Sequence, residues 1–221
     1  MRFRDRTDAG DQLADRVASS LASAREPDAP LPDRLQVLAL PRGGVPVARP
    51  IADRLDRELG LLLVRKLGLP GHPELAMGAI AAVGERIELV RNDVVLHQHR
   101  VDPDDWAAVL ETETSELRRR MAEFSPWTAA EPAGGTVILV DDGLATGATM
   151  RAAVTATRAA DAGSILVAVP VASASSVAEL EAPDVRVITL SRPDPLIAVG
   201  EAYRDFHQLD DAEVLDLLQR R

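Results

Sequence analysis

Five runs of nearly continuous apolar residues constrain the fold of this chain more than any other feature of its sequence. They are LQVLAL (35–40), LLLVR (61–65), TVILV (136–140), ILVAVPV (165–171) and VRVITL (185–190). Strands of a parallel sheet are covered on both faces, so they read as unbroken apolar runs instead of alternating patterns. The sequence therefore predicts a buried parallel sheet of five strands.

Helical patterns separate several of these runs. Residues 8–24 are predicted to form a helix with Asp8 as its N-cap, because apolar residues recur there at helical spacing. A second helix follows the first strand with Pro46 in its first turn, and a third begins near Met150 and ends at Gly163. Alternating strands and helices imply right-handed crossovers and an α/β fold with helices on both sides of the sheet.

The chain of 221 residues suits one domain, 1–221, with an elaboration. The gap between the second and third strands is too long for a simple crossover. We expect it to contain a flexible loop (66–78), a short hairpin around Gly84-Glu85 and a helix that begins at Asp102-Pro103. The core is then roughly 33–66 and 134–191, and a small hood subdomain is built from 1–30, 79–130 and 192–221.

Composition excludes several classes of protein. The net charge of −10 argues against a general nucleic-acid surface, which requires clustered cations. The absence of cysteine excludes disulfides and a thiol nucleophile. No apolar stretch approaches the ~18 residues of a membrane span, and the charged N-terminus lacks the apolar core of an export signal. We therefore expect a cytoplasmic protein that binds neither nucleic acid nor membrane.

Three segments follow strands at the predicted ligand-binding edge, the carboxyl ends of the sheet. They are Pro41 to Gly44, Arg65-Lys66 and Asp141 to Thr149. In the last one, small residues allow backbone amides to converge on an anion at the start of a helix. Asp141 and Asp142 would repel that anion, so they require another target, such as a diol or hydrated Mg²⁺. A ribose 5-phosphate satisfies both halves, whereas the Walker and dinucleotide motifs are absent.

The stretch VDDGLATGAT (140–149) resembles the PRPP-binding motif of type I phosphoribosyltransferases, in which two acids after an apolar strand precede Thr-Gly-x-Thr. The resemblance implies the type I phosphoribosyltransferase fold. It also implies that Asp141 and Asp142 hold the ribose hydroxyls of PRPP and the Mg²⁺ ion. The residues that would wrap the 5-phosphate are Ala145, Thr146, Gly147, Ala148 and Thr149.

Two further segments are similar to the same family. Arg42-Gly43-Gly44 resembles the pyrophosphate loop of xanthine-guanine phosphoribosyltransferases, in which glycines let the backbone approach the ligand closely. Arg65-Lys66 and the LGLPG that follows them look like a run in adenine phosphoribosyltransferases. Arg65 and Lys66 are therefore expected to contact pyrophosphate, with Lys66 at the base of a mobile loop.

The resemblance is weaker at the residues that would act on the acceptor base. Hypoxanthine-guanine enzymes carry an Asp in the phosphate loop where this chain has Ala145, and Ala82 stands where adenine enzymes have a Glu. His72 and Glu74, in GHPELAMG (71–78), could form a replacement proton-transfer pair on the loop. His97 and His99 are expected to lie on a short solvated strand and not in a zinc site, since further ligands are missing.

The base pocket is expected after the fifth strand, where RPDPLIAVGEAYRDF (192–206) distantly resembles the base-binding tail of hypoxanthine-guanine enzymes. Ile197, Tyr203 or Phe206 could stack on a base there, although core packing is an equal alternative.

The resemblance as a whole implies an enzyme that uses PRPP and Mg²⁺ to transfer a 5-phosphoribosyl group to a nitrogenous base with release of pyrophosphate. Two alternatives stay open, a PRPP-sensing regulator on the same fold and a hydrolase of phosphoribosyl compounds. Since many relatives are dimers, we expect a homodimer.

Overall fold

The computed structural model describes residues 2–23, 31–129 and 131–219. Its helices are α1 (Arg6–Ser23), α2 (Gly44–Leu55), α3 (Asp93–Gln98), α4 (Pro103–Glu123), α5 (Ala148–Ala159), α6 (Ala174–Leu180) and α7 (Asp211–Gln219). Its strands are β1 (Leu35–Ala39), β2 (Leu59–Leu61), β3 (Leu63–Leu69), β4 (His72–Val83), β5 (Arg86–Arg91), β6 (Thr136–Val140), β7 (Ser164–Val171) and β8 (Val185–Ser191). Short 3-10 turns occupy Ser125–Trp127 and Val199–Ala202.

Five strands form the predicted parallel sheet, in the order β2-β1-β6-β7-β8. Its two faces carry separate apolar clusters, and Val37, Ile138 and Ala168 belong to one while Leu38, Leu139 and Val167 belong to the other. Burial on both faces is the physical reason that these strands read as continuous apolar runs. The predicted fold class is confirmed, with β1 and β6 side by side near the middle of the sheet.

The second strand differs from its prediction, because the run 61–65 does not form one strand. Leu59–Leu61 pairs in parallel with β1, whereas Leu63–Leu69 pairs antiparallel with β4 in a separate sheet. The chain changes sheets at Leu62, whose amide donates to the Ala39 carbonyl at 3.0 Å. Leu61, Leu62 and Leu63 are all buried, so an unbroken apolar run conceals this break.

The segment predicted as a loop (66–78) is instead most of a β-hairpin. Strands β3, β4 and β5 form an antiparallel sheet in that order, and β3 turns into β4 at Pro70-Gly71, where Gly71 has φ of +77°. Leu67, Leu69 and Met77 are buried against α4 and the main core, and this packing gives the segment its regular structure. The turn predicted at Gly84-Glu85 and the helix predicted from Pro103 are both present.

The first helix covers the parallel sheet and does not belong to the hood. Leu13 and Val17 are fully buried in the cluster shared with α2, so α1 packs beside α2 and against β7 and β8. The helix begins at Arg6 and not after Asp8, because Asp5 accepts a hydrogen bond from the Asp8 amide at 2.8 Å. Residues 24–30, which follow α1, lie outside the described part of the structure.

Two smaller predictions also change. The short strand predicted at His97 and His99 is instead helical, since His97 lies in α3 and His99 is the C-cap of this helix. Asn92 begins the helix as its N-cap, and its side chain accepts a hydrogen bond from the Val95 amide at 3.3 Å. The helix α5 ends at Ala159, before Gly163, which instead directly precedes β7 and lies against the Gly134 backbone. Among the described helices, none is both long and apolar enough to cross a membrane.

Candidate active site

The loops after β1 and β6 meet at the carboxyl edge of the parallel sheet, because these two strands are neighbours. A Cβ atom added to Gly43 would overlap the carboxylate of Asp142, and one added to Gly44 would lie 2.5 Å from the Val140 carbonyl. Only a residue without a side chain allows the two loops to approach this closely. Arg42 is partly exposed at the start of the first loop. The structure therefore brings residues 41–44, the PRGG loop, directly against Asp141 and Asp142, the acid pair.

The turn between β6 and α5 presents a series of unused backbone donors. Within the described residues, the amides of residues 145–149 donate no hydrogen bond. Gly147 takes φ of +70° as the residue before α5, a conformation that glycine adopts without strain. These amides lie at the N-terminus of a helix, where the helix dipole also favours an anion. Residues 145–149, which we call the phosphate turn, therefore have the features of an anion site.

Two serine side chains at the N-terminus of α6 fix the shape of this turn. Ser173 and Ser176 both donate from Oγ to the Ala145 carbonyl, at 2.9 and 2.6 Å. Ser176 is buried, with 2% of its surface exposed. On the other side, Arg151 donates to the Thr146 carbonyl at 2.7 Å and pairs with Glu179. Because its carbonyls are held from outside, the turn keeps its amides available for a ligand.

The surroundings of the two acids that follow β6 disfavour their charged forms. Burial, together with the neighbouring Asp142 carboxylate, raises the pKa of Asp141 well above its ordinary value. Burial also raises the pKa of Asp142, although the Arg6 guanidinium opposes that shift. Asp141 Oδ1 accepts the Asp142 amide at 2.9 Å, while Asp141 Oδ2 and Asp142 Oδ1 accept no hydrogen bond from a described residue. A cationic or hydroxyl-bearing ligand would stabilise the charged carboxylates by binding these oxygens.

Arg6 is a site residue that sequence reasoning missed. Its Nε donates to Asp142 Oδ2 at 2.8 Å, and its Cζ lies 3.8 Å from the centroid of the Phe206 ring. The N-terminal stretch is dense in charged residues, and no motif or spacing distinguishes this arginine from its neighbours. The contact spans 136 residues of sequence, so only the folded chain reveals it.

Of the predicted base-binding residues, Tyr203 lies in the core. Its ring is 1% exposed and has the rings of Phe3 and Phe206 beside it, at centroid distances of 5.6 and 5.0 Å. A base could stack on Tyr203 only by displacing one of these neighbours. Phe206 is partly exposed, and Ile197 is 74% exposed in the segment whose Val199 lies against Gly143.

The predicted pyrophosphate contacts of the second segment lie in β3, in the antiparallel sheet, and not at the edge of the parallel sheet. Arg65 is paired with Glu113 of α4 at 2.6 Å, so a ligand would have to compete with that carboxylate. Lys66 lies on the opposite face of the sheet, next to Val64. Val64 packs on the cluster that contains Met150 of α5, so Lys66 shares the face directed at the helix of the phosphate turn.

The predicted proton-transfer pair lies near the tip of the β3–β4 hairpin. His72 is exposed and pairs with Leu69 across the turn. Glu74 lies in β4, but its side chain is outside the described part of the structure. Their joint role therefore stays a prediction.

This fold and this edge of the sheet define a class of protein. The sequence model of the phosphoribosyl transferase domain matches residues 9–205, and the chain belongs to this family. The matched range includes the PRGG loop, the acid pair and the phosphate turn.

Individual relatives agree with this assignment. A crystal structure of the protein TT1426 from Thermus thermophilus is 40% identical, has a TM-score of 0.81, and is matched over 99% of this chain and 98% of that one. A Mycobacterium tuberculosis protein named "Putative phosphoribosyl transferase" is 41% identical over 219 residues in both strains compared, CDC 1551 and H37Rv. The match covers 99% of this chain and 46% of the relative, so the chain spans about half the length of these curated relatives.

Proposed function

We propose that the protein is an enzyme that transfers the 5-phosphoribosyl group of PRPP to a nitrogenous base and releases pyrophosphate. One observation carries this proposal: five amides at the start of α5, which donate to no residue that the structure describes, lie in the same loop as a buried acid pair, against which the PRGG loop packs. A 5-phosphate fits the amides, ribose hydroxyls fit the carboxylates, and a pyrophosphate group fits a glycine loop with an adjacent arginine.

The donor set also suits Mg²⁺. Asp141 Oδ2 and Asp142 Oδ1 are carboxylate oxygens that no described hydrogen-bond donor occupies. Among the described residues, no group of three or more His, Cys, Asp or Glu side chains could hold a metal on its own. Mg²⁺ commonly binds through one or two carboxylates together with substrate phosphates. These two carboxylate oxygens therefore suit a Mg²⁺ site that the phosphates of PRPP would complete. When bound, the ion would neutralise charge on the departing pyrophosphate.

The protein's own residues would act mainly by positioning and by electrostatics. The turn at 145–149 would fix the phosphate end of the sugar, and Asp141 would orient its hydroxyls. Arg42, with the amides of Gly43 and Gly44, would then lie beside the pyrophosphate that leaves from the anomeric carbon. Such preorganised donors stabilise charge that develops in the transition state without reorganising during the reaction.

The test is an incubation of the protein, PRPP and Mg²⁺ with a panel of nucleobases, in which pyrophosphate and nucleotide are followed. Release of pyrophosphate only when one acceptor is present would support the transferase. Release without any acceptor would favour the hydrolase, and PRPP binding without turnover would favour the sensor. The acceptor, the homodimer and the cytoplasmic location stay predictions.

A paired substitution tests the site itself. Asp141→Asn together with Asp142→Asn removes both negative charges while it keeps the size of the side chains. We expect this double variant to fold and to bind PRPP much more weakly. Unchanged PRPP affinity would contradict the assignment of the acid pair.

A further inference from the structure

Three contacts hold the guanidinium of Arg6 beside the acid pair. Nε donates to Asp142 Oδ2 at 2.8 Å, Nη1 donates to the His207 carbonyl at 2.9 Å, and the Phe206 ring centroid lies 3.8 Å from Cζ. The side chain of Arg6 is 10% exposed and that of Asp142 is 15% exposed. The guanidinium could reach solvent only by giving up an anion, a carbonyl and a ring together. Arg6 is therefore a fixed part of the site and not a mobile surface cation.

The segment that carries Arg6 is itself anchored by the C-terminal part of the chain. The Phe3 amide donates to the Ala202 carbonyl at 2.7 Å, and the backbone amide of Arg204 donates to the Phe3 carbonyl at 2.9 Å. The amide of Asp205 donates to the Arg4 carbonyl at 2.9 Å. We call residues 2–6 and 202–207 the terminal clasp. Its two halves hold each other in a defined register.

The terminal clasp holds Asp142 at two points. Arg6 binds its carboxylate from one half of the clasp, and the Tyr203 hydroxyl donates to its backbone carbonyl at 2.5 Å from the other half. Asp141 has no such contact: its Oδ1 accepts the amide of Asp142, and its Oδ2 accepts from no described residue. The two neighbouring acids therefore have unequal surroundings.

We propose that Arg6 is a positioning residue that neutralises and fixes Asp142, so that Asp141 is the acid that chiefly contacts the phosphoribosyl ligand. This inference rests on the proposed function. PRPP is a polyanion, and two adjacent carboxylates shielded from water would repel it strongly. The guanidinium reduces the pair from two net negative charges to one, and it leaves Asp141 Oδ2 open. Arg6 acts through Asp142 and needs no contact with PRPP.

The experiment is a double-mutant cycle on PRPP affinity, measured by isothermal titration calorimetry in Mg²⁺. It compares the wild type with Arg6→Ala, Asp142→Asn and the two changes combined. Arg6→Ala should weaken PRPP binding about 30-fold or more, the size of effect seen when one partner of a buried charge pair is removed. The combined variant should bind no more weakly than Asp142→Asn alone, because without the Asp142 charge there is nothing for Arg6 to neutralise.

Two further variants separate positioning from general stability. Arg6→Lys restores the charge but not the forked geometry, so it should recover part of the affinity. Arg4→Ala is the matched control, since Arg4 is two residues away in the same segment, and its side chain is 70% exposed and paired with Asp5. We expect Arg4→Ala to bind PRPP as the wild type does. If Arg6→Ala does not fold, the cycle is run with Arg6→Lys in its place.

The outcomes are distinguishable. Wild-type affinity in Arg6→Ala would overturn the inference, as would a combined variant in which the losses of the two single variants multiply. The second result would mean that Arg6 contacts the ligand independently of Asp142. Both results leave the proposed function intact, because the wild type still binds PRPP. A wild-type protein that binds no PRPP would overturn the proposed function and this inference together.

Discussion

The hydroxyl of Tyr203 donates a hydrogen bond of 2.5 Å to the backbone carbonyl of Asp142, 61 residues earlier in the chain. Burial and then the negative charge of Asp142 raise the pKa of the Tyr203 hydroxyl above its ordinary value. The hydroxyl therefore stays protonated and remains a donor throughout the pH range in which proteins are usually handled. This hydrogen bond is one of the contacts between the C-terminal segment and the loop that carries the acid pair.

Replacing Tyr203 with phenylalanine should remove this bond while keeping the ring contacts with Phe3 and Phe206. We expect Tyr203→Phe to lower the free energy of unfolding by about 1 kcal/mol, the usual net value of a hydrogen bond between protein groups. Urea denaturation of the variant and the wild type measures this difference. Equal midpoints and equal slopes would mean that the bond contributes nothing to stability.

Asp141→Asn should weaken the binding of PRPP and stabilise the empty protein. The pKa of Asp141 is raised in the folded state, so the folded protein binds this proton more tightly than the unfolded chain does. The free energy of unfolding of the wild type must therefore fall as the pH rises through that raised pKa. Asparagine carries no titrating proton, so the free energy of unfolding of the variant does not include this decrease with pH.

Thermal unfolding at several pH values tests the prediction for Asp141. The variant should have the higher Tm once the pH exceeds the raised pKa of Asp141, and the difference should shrink towards acidic pH, where the wild-type carboxyl is protonated. The affinity of the variant for PRPP, measured in Mg²⁺, should be lower by about tenfold or more. A variant that is less stable than the wild type at high pH would contradict the raised pKa.

Gly43→Ala should disrupt the site without straining the backbone. Gly43 has φ of −60°, which alanine adopts readily, but the added Cβ would overlap the Asp142 carboxylate. We expect a large loss of PRPP affinity, because the PRGG loop and the acid pair must separate. The comparison is Gly134→Ala, at φ of +75° with nothing within 4 Å of the added Cβ. That control should lose about 1 kcal/mol of stability through backbone strain and keep its PRPP affinity. The reverse pattern would contradict the role of Gly43.

Ser176→Ala should loosen the phosphate turn. The Ser176 hydroxyl is buried and donates to the Ala145 carbonyl at 2.6 Å, so its loss leaves Ser173 as the remaining serine donor to that carbonyl. We expect PRPP affinity to fall about fivefold, equivalent to about 1 kcal/mol for one hydrogen bond. Ser175→Ala is the control, because Ser175 is exposed and shares only a weak contact of 3.3 Å with Ser173. Equal effects of the two substitutions would mean that the bond to Ala145 does not shape the turn.

The sequence predicted the parallel sheet well because burial on both faces leaves a direct mark on composition. The prediction for the segment 61–78 was wrong, partly because burial also makes the run at 61–65 continuously apolar. Leu61 ends a strand of the parallel sheet, Leu63 begins a strand of the antiparallel sheet and Leu62 lies between the two, yet all three are buried and form one apolar run that contains no sign of the break. The β3–β4 hairpin was predicted as a loop because its strands are stabilised by packing on α4 and α5, which local sequence does not show.

Some residues of the candidate site were also predicted correctly from the sequence, whereas others were not. The PRGG loop and the stretch from Asp141 to Thr149 were predicted together, and the structure brings them into contact because β1 and β6 are neighbours. Arg65 was assigned to pyrophosphate, but in the folded chain its guanidinium is paired with Glu113. Tyr203 was assigned to the base, but its ring lies in the core.

By itself, the sequence determined the class of fold, the positions of the phosphate turn and the acid pair, and the two glycines that allow close approach. These are properties of short contiguous segments, in which composition and local backbone preference carry the information. Only the tertiary structure decided that Arg6 and Tyr203, from opposite ends of the chain, both bind Asp142. Such contacts depend on where distant segments meet after the core is packed, and no local pattern in the sequence records that.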